Sequence, residues 1–461
     1  YNIANNEVHF FSKTQSVFNK AFLNSLSFTS KLKKNLSVRG VVYLANDEQK
    51  QNSSTIRKYN LENNPISFTE DNFYVNKKTL TSTEIELKYS PNDKNYITNF
   101  FIFKNNPNKT ANNLLFNTDI INQNSNSENY TIYNHFNHTL QLTEKTVINN
   151  YFYIGNDKIN EKSKVSSPFL NSFLSLDTNQ IINQNANNKL FNIGNKSKVI
   201  SKFRKIDLTN TVQFEYSNEQ FKNDFIANNQ NIETYQNNAN LKILNLFQEN
   251  TLRYNFSKKI DLTANLNFQN IQFNNNTFST NLFLINPSIY FNIKKTGFGN
   301  FSFSFSENNS LPEINQLTTN YQLTDYRSFL QGTTFQKPLK NQTTGLNYSY
   351  YNDEKRFSIN TNIFYSNSKS IFNTSSNLTS DFNFNSYIQT KGNESYNFNF
   401  SLVNYSRKLK LASKIETLNN WITSPLNVNS TEFSNAKSYS NSIKYSATTY
   451  FKSKINFDFG F

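Results

Sequence analysis

The chain has 461 residues, of which 47 are Lys or Arg and 32 are Asp or Glu, so its formal net charge is +15. Only 36% of the residues are hydrophobic, which argues against a large dry core, whereas 16% are aromatic, which argues against simple disorder. With 9 glycines, 8 prolines and no cysteine, the sequence excludes a collagen-like chain, disulfides, thiolate metal sites and cysteine nucleophiles. Because methionine is also absent, Tyr1 is not a translation start, and we expect a removed leader or a longer parent protein.

Apolar and polar residues alternate with a period of two along the whole chain. Clear examples in chain order are 84–89, 262–269, 301–306, 396–402 and 455–461. This spacing places the apolar side chains on one face of a β-strand. No apolar run approaches the roughly 18 residues that a membrane-spanning helix needs, so any insertion into a membrane would be by strands.

Two kinds of connection separate the predicted strands. Short polar turns, nearly all basic, are predicted at 33–34, 92–94, 144–145, 204–205, 258–259, 295–296, 353–355, 407–408 and 452–454. Longer stretches rich in Asn, Ser and Thr lie between them, at 47–78, 105–129, 218–240, 307–340 and 367–393. Short turns at one end of the strands and long loops at the other are typical of an outer-membrane β-barrel. A soluble sandwich or a surface filament, which would show the same alternation, is the alternative.

The barrel interpretation assigns the two faces of each strand. Basic residues at the turns would meet water and lipid headgroups, and they do not form one face with stacking aromatics between them, so no nucleic-acid partner is expected. Residues expected to face lipid are Phe301, Phe303, Phe305, Tyr396, Phe398 and Phe400. Residues expected to face the lumen are Ser302, Ser304, Asn397 and Asn399.

Segment 284–372 carries an ordered set of short motifs. Ile-Asn-Pro-Ser at 285–288 leads a strand, Leu-Pro-Glu-Ile-Asn-Gln-Leu follows at 311–317, and Asp-Tyr-Arg-Ser at 325–328 precedes a pair of strands. In this order the segment resembles the middle of the barrel in TonB-dependent receptors, an outer-membrane β-barrel family, and especially its members from the Bacteroidota. The resemblance covers about a fifth of the chain.

The resemblance implies an all-β fold, a large antiparallel up-and-down transmembrane barrel of roughly 22 strands, of which about 18 to 19 would lie in this sequence. Residues 1–461 would then be the barrel domain alone, with an N-terminal plug and the last strands outside it. The strand 455–461 follows a short turn and so runs away from the periplasm, which predicts an unpaired edge beside it.

The function implied by the resemblance is transport across the outer membrane. The barrel would take up a scarce nutrient through a plugged lumen, embedded in outer-membrane lipid and coupled to the TonB complex through the plug. A surface lipoprotein or another outer-membrane assembly subunit is a further expected partner. The alternative is a non-transporting barrel or channel subunit of a larger secretion or surface assembly.

No enzyme activity, metal or cofactor is expected. His9, His135 and His138 are the three histidines, and His135 and His138 are three apart on a predicted strand, so their side chains point to opposite faces and do not share a metal. The sequence carries no nucleophile elbow, phosphate-binding loop or metalloprotease histidine pair.

Candidate ligand contacts lie in the predicted extracellular loops. They are Tyr321, Tyr326, Arg327 and Phe329 in 307–340, and Trp421 near the top of a later hairpin. Loop packing, or a position in an aromatic girdle, is the alternative role for each. The sequence does not identify the ligand.

Overall fold

The computed structural model describes residues 18–59, 65–177, 180–295, 297–430, 432–451 and 456–460, which fold almost entirely into strands. The strands are β1 (Phe18–Lys33), β2 (Leu36–Tyr59), β3 (Ile66–Asn92), β4 (Asn95–Asn105), β5 (Asn108–Phe116), β6 (Asp119–Thr143), β7 (Thr146–Ser166), β8 (Ile182–Phe203), β9 (Ile206–Ala227), β10 (Gln230–Asn231), β11 (Asn237–Ser257), β12 (Ile260–Asn275), β13 (Ser279–Lys295), β14 (Gly299–Ser310), β15 (Gln322–Leu323), β16 (Ser328–Gln331), β17 (Leu339–Asn352), β18 (Phe357–Leu378), β19 (Asn383–Thr390), β20 (Glu394–Ser406), β21 (Leu411–Val428), β22 (Ser434–Thr449) and β23 (Asp458–Gly460). One helix, α1 (Pro168–Phe173), and two short 3₁₀ turns, Glu233–Tyr235 and Ile314–Leu317, lie in the connections. Within these ranges no helix is long and apolar enough to cross a membrane. His9 and the predicted turn at 452–454 lie outside the described residues.

Eighteen of the strands form one continuous antiparallel wall. Its order is β1, β2, β3, β4, β6, β7, β8, β9, β11, β12, β13, β14, β17, β18, β20, β21, β22, β23. The predicted short turns join successive strands along one rim, and five of them contain two residues between the strand ends. This is the up-and-down β-barrel topology that the turn pattern predicts. The remaining short strands, β5, β10, β15, β16 and β19, belong to the connections at the opposite rim, here called the upper end.

The wall has a gap among the described residues. There β1 pairs only with β2, and β23 pairs only with β22. Side chains on both faces of β1 are exposed, for example Leu23 and Leu26, because no strand covers its outer edge in the described structure. The unpaired edge beside 455–461 stays a prediction, because residues 1–17, 455 and 461 lie outside the described residues.

The two faces of the wall differ in the predicted sense. Phe301 is 38% exposed and Tyr396 50%, whereas Ser302 is only 8% exposed on the opposite face. The other four predicted lipid-facing rings, at 303, 305, 398 and 400, are half-buried because side chains of adjacent strands flank them, so the expectation of high exposure was wrong for these four. None of the six is buried between two packed sheets, which excludes the sandwich.

The inner face of the wall is polar. Asn292 lies directly opposite Ser302 in the ladder and donates its amide to Asp261 Oδ1 at 3.3 Å. Arg253 Nη2 lies 3.7 Å from Asp261 Oδ2. Hydrogen-bonded polar side chains on the face opposite the apolar one are typical of a barrel with a wet interior.

Several strands extend far above the segment that a bilayer would need. β2 has 24 residues and β3 has 27, whereas about 9–11 tilted residues span a bilayer. The segments 47–78 and 105–129 were predicted as loops, but the structure makes them mostly strand. The reason is that alternation continues there, since Thr110, Asn112 and Leu114 are buried while the residues between them are exposed.

Candidate functional site

The segment 311–338, which connects β14 to β17, folds across the inside of the upper end; we call it the cap. It contains the 3₁₀ turn Ile314–Leu317 and the short strands β15 and β16. β15 and β16 pair with each other, and β16 also pairs in parallel with β19 of a neighbouring connection. The cap is therefore a folded element held to a second loop, not a free loop.

A hydrophobic cluster joins the cap to the inner face of the wall. Its buried members are Phe68, Leu114, Phe116, Ile121, Val165, Leu170, Ile182, Phe225, Ala227, Leu323, Tyr326, Phe329 and Phe382. These residues come from strands on one side of the wall, from α1, from the cap and from the loop that carries β19. Fully burying one such large side chain contributes about 1.5–3 kcal/mol, so the cluster is a strong reason for the upper end to close.

Tyr326 connects the cap to β3 by a buried hydrogen bond. The residue is 2% exposed, and its hydroxyl donates to the Glu70 carboxylate. Arg57 Nε on β2 lies 3.7 Å from Glu70 Oε2, so the carboxylate has a partly exposed cation beside it. Burial and the Glu70 charge raise the pKa of Tyr326 well above its ordinary value, so the hydroxyl remains a donor at neutral pH.

Arg327 places a cation between aromatic rings inside the same cluster. Its guanidinium carbon lies 4.3 Å from the centre of the Phe68 ring and 5.0 Å from that of Phe116. Its Nη2 donates to the carbonyl oxygens of Thr379 and Ser380, at 3.3 and 3.2 Å. The desolvated guanidinium thus has π faces on one side and backbone acceptors on the other, and it ties the cap to the β18–β19 connection.

Two amide side chains of the wall hold the cap backbone. Gln184 on β8 donates to Leu323 O at 2.8 Å and accepts from Leu323 N at 3.0 Å. Asn237 on β11 makes the same pair of bonds to Asn320, at 3.0 and 2.9 Å. Each amide satisfies both backbone groups of one cap residue, as a neighbouring strand would. Gln184 and Asn237 were not predicted from the sequence, where only their inward positions in the alternation could have indicated them.

The structure brings four of the five predicted site residues together. Tyr326, Arg327 and Phe329 are all at most 4% exposed, and their side chains point into the hydrophobic cluster. Tyr321 is partly exposed, and its hydroxyl lies 3.2 Å from Ser386 Oγ. Contact with a ligand stays a prediction for these residues, while their packing role is visible in the structure.

Trp421 lies apart from the cap, on the wall. It is directly opposite Tyr396 on β20 and Tyr439 on β22, which are both exposed. Opposed residues in an antiparallel ladder share a face, so Trp421 belongs to an outward-facing aromatic row. A girdle position, named above as its alternative role, predicts such a row, and contact of Trp421 with a ligand stays a prediction.

The described residues hold no group of three or more metal-ligating side chains. His135 packs its ring against Phe100 and Tyr151, with centroids 5.2 and 5.3 Å apart. His138 has its Nε2 at 2.8 Å from Asn95 Oδ1. The two histidines occupy odd and even positions of β6, on opposite faces as predicted.

Comparison with solved structures identifies the class of fold. The chain is similar to the outer membrane transporter YddB from Escherichia coli, with a TM-score of 0.52 and 10% identity over 93% of this chain and 61% of that one. It is similar to the copper transporter OprC (TM-score 0.52, 7% identity, 96% of this chain and 74% of that one). It is also similar to the FrpB iron transporter from Neisseria meningitidis, F3-3 variant, with a TM-score of 0.50 and 11% identity over 93% of this chain and 68% of that one.

The fold is thus that of outer-membrane transporter barrels, and this chain spans less than two thirds of the length of YddB. The structures to which it is similar are described as transporters and receptors, and none of these is an enzyme. No protein-family model matches the sequence, and no curated protein matches it.

Proposed function

We propose that the chain forms the barrel of a TonB-dependent transporter in the outer membrane, which takes up a scarce nutrient through a plugged lumen. The observation that carries the proposal is the cap: a folded segment is packed against the inner face at the upper end of a barrel whose fold matches that of known transporters. A segment held there by hydrogen bonds and ring contacts can move to admit a ligand and then return, whereas a simple channel has no need of such a segment.

The proposal extends to parts and partners beyond the described wall. A plug would fill the polar lumen and contact the TonB complex, and further strands would cover the exposed edge of β1. An uncovered edge would leave backbone groups facing hydrocarbon, at a cost of several kcal/mol for each group. The motifs at 284–372 favour the Bacteroidota members of the family, and a surface lipoprotein is proposed as a partner above the cap.

Within this function, the ligand is proposed to meet the cap at Tyr321, the partly exposed member of the predicted set. Tyr326, Arg327 and Phe329 would become accessible only after the cap leaves the cluster. Trp421, on the outer face of β21, is proposed as a membrane-interface anchor.

The experiment uses the absence of cysteine from the chain. Cysteines replacing Leu330 and Asn385, which are paired Cα partners on β16 and β19, would lock the cap to the neighbouring connection. Uptake of a panel of iron chelates, copper, corrinoids, oligosaccharides and peptides is measured in cells with and without a reductant. We expect one class to enter only when the lock is reduced and only in energised cells.

The alternative, a non-transporting scaffold barrel, has support from the dense packing of the cap cluster. That alternative would be favoured if uptake of every compound in the panel were the same with the lock formed or reduced, and with the membrane energised or not. The single replacements at 330 and 385 serve as controls, because each supplies only one of the two cysteines and forms no lock.

A further inference from the structure

The outer face of the wall, above its apolar band, carries a large polar cavity. Its volume is about 830 Å³, and it lies over the upper parts of β6, β7, β8, β9 and β11. Four lysines line it, Lys158, Lys162, Lys189 and Lys222, together with the carboxylates Glu128 and Asp224 on the same outward face and the inward-facing Glu161, so the outward lining has four cations and two anions. We call it the outer basic cavity.

Strand alternation shows that these lysines point away from the barrel interior. Glu161 and Val165 on β7 are buried on the inner side, and Val165 belongs to the cap cluster. Lys158 and Lys162 occupy the alternate positions of the same strand and therefore the opposite face. Lys222 likewise alternates with the inward-facing Phe221 on β9.

The arrangement of charge in the cavity points to an anion. Lys158 is directly opposite Lys189 in the β7–β8 ladder, and like charges in that position destabilise a sheet unless something neutralises them. Lys222 has a partner, Asp224, at 3.0 Å. Among the described residues, no acidic side chain forms an ion pair with Lys158, Lys162 or Lys189.

The height of the cavity indicates where that anion comes from. On β7 the outward residues Phe152 and Ile154 are exposed and apolar, as expected of a lipid-facing band. Lys158 is four residues beyond Ile154, or about 13 Å along the strand and about 9 Å in height at a tilt of about 45°, which places it at the outer part of the headgroup layer. The Lys158 Nζ also lies 5.7 Å from the Tyr130 ring centre, an aromatic–cation pair suited to a membrane interface.

Amide side chains complete the lining. Asn160 and Asn187 form an opposed, hydrogen-bonded pair between the lysines, and Asn185 lies opposite Lys162. Amides donate to and accept from hydroxyl groups, as a sugar requires, while lysines neutralise phosphate. We propose that the outer basic cavity binds the phosphorylated sugar headgroup of a glycolipid in the outer leaflet. The proposal rests on the proposed outer-membrane location and not on transport.

The test measures binding of bisphosphorylated lipid A to the full chain in detergent micelles. The variant K158Q/K162Q/K189Q removes the three lysines without acidic partners. The matched control, K94Q/K145Q/K202Q, makes the same charge change at exposed positions on the opposite rim. Heat-modifiable migration on a gel shows that each variant is folded. We expect the wild type and the control to bind equally and the cavity variant to bind at least about tenfold more weakly.

Two further arms identify the source of the anion. Dephosphorylated lipid A should bind poorly to the wild type, and excess inorganic phosphate should not displace bisphosphorylated lipid A. Equal binding by the cavity variant and its control, equal binding of the dephosphorylated lipid, or displacement by inorganic phosphate would each overturn the proposal. The assay contains no import step, so a failure of the transport proposal would leave its result unchanged.

Discussion

Tyr326 is the residue that best separates hydrogen bonding from packing in the cap. Tyr326→Phe keeps the ring in the cluster but removes the donor to Glu70, a buried carboxylate whose nearby cation, Arg57, is 3.7 Å away. We expect cap docking to weaken by about 1–3 kcal/mol, because a buried acceptor loses its donor. The measurement is hydrogen–deuterium exchange of 320–331. Tyr321→Phe, which removes a bond between partly exposed groups, should change exchange much less. Equal exchange in the two variants would contradict the expectation.

The same residue makes the cap sensitive to alkaline pH. The pKa of Tyr326 is raised in the folded state above its ordinary value of 10.0, so its stabilisation is fully present below pH 10.0 and is lost as pH rises toward the folded pKa. We expect the free energy of cap opening, obtained from exchange rates corrected for the base-catalysed intrinsic rate, to be constant near neutrality and to fall above pH 10.0 in the wild type. Tyr326→Phe should lack this fall, and an identical alkaline fall in that variant would assign the titration to other groups.

At the scale of the element, one packing arrangement recurs along the wall, a glycine opposite an aromatic ring. Four of its buried glycines each lie directly opposite an aromatic ring on the neighbouring strand, where the missing side chain makes room for the ring. The pairs are Gly40 with Phe28, Gly155 with Tyr133, Gly194 with Tyr153, and Gly345 with Phe364. These pairs fix the register of four different hairpins along the wall.

Gly194→Val tests this arrangement. A Cβ at that position would lie 2.5 Å from Tyr153 Cζ and 2.6 Å from its hydroxyl oxygen, so the ring must leave its place. We expect a destabilisation of about 1–3 kcal/mol, seen as a lower temperature for loss of the fast-migrating folded band on a gel. At Gly460 the nearest atom to an added Cβ is 3.9 Å away, so Gly460→Ala is the matched control. An unchanged temperature for Gly194→Val would show that the ring has room to move.

Strand boundaries were largely predictable from the sequence, because pairs such as Glu144–Lys145 and Arg204–Lys205 interrupt a regular alternation. The upper hairpins were wrongly predicted as loops, because Asn was read as a turn residue. In β5, however, Asn112 takes an inward strand position. The cluster at 321–329 was found by its aromatic content, with loop packing as the alternative role, but its partners on the wall were not. Its partners Gln184 and Glu70 are 139 and 256 residues away from their cap contacts, and no local pattern marks them.

At the scale of the whole molecule, the gap between β1 and β23 among the described residues predicts how β1 behaves in the membrane. Cysteines replacing Phe22 and Asn46, which are directly opposed on β1 and β2, should form a disulfide, since opposed residues lie about 4.5–5.5 Å apart. Cysteines replacing Phe28 on β1 and Phe459 on β23 should not, because further strands are proposed between β23 and β1. The check is a non-reducing gel of the full-length protein from intact membranes. Efficient linkage of β1 to β23 would show that the wall closes on itself.

The cap also sets the order in which the molecule can be assembled. Its bonds to Gln184 and Glu70 join segments that lie 139 and 256 residues apart, and the strands that receive the cap are early in the chain. Forming such contacts costs loop-closure entropy. The packing and hydrogen bonds of the cap offset this cost only after both sides of the wall have formed. The mouth should therefore seal last during folding and open first during unfolding. In a partly assembled barrel the cap would be undocked and open to protease. The time at which the cap becomes protease-resistant in cells therefore reports the completion of assembly.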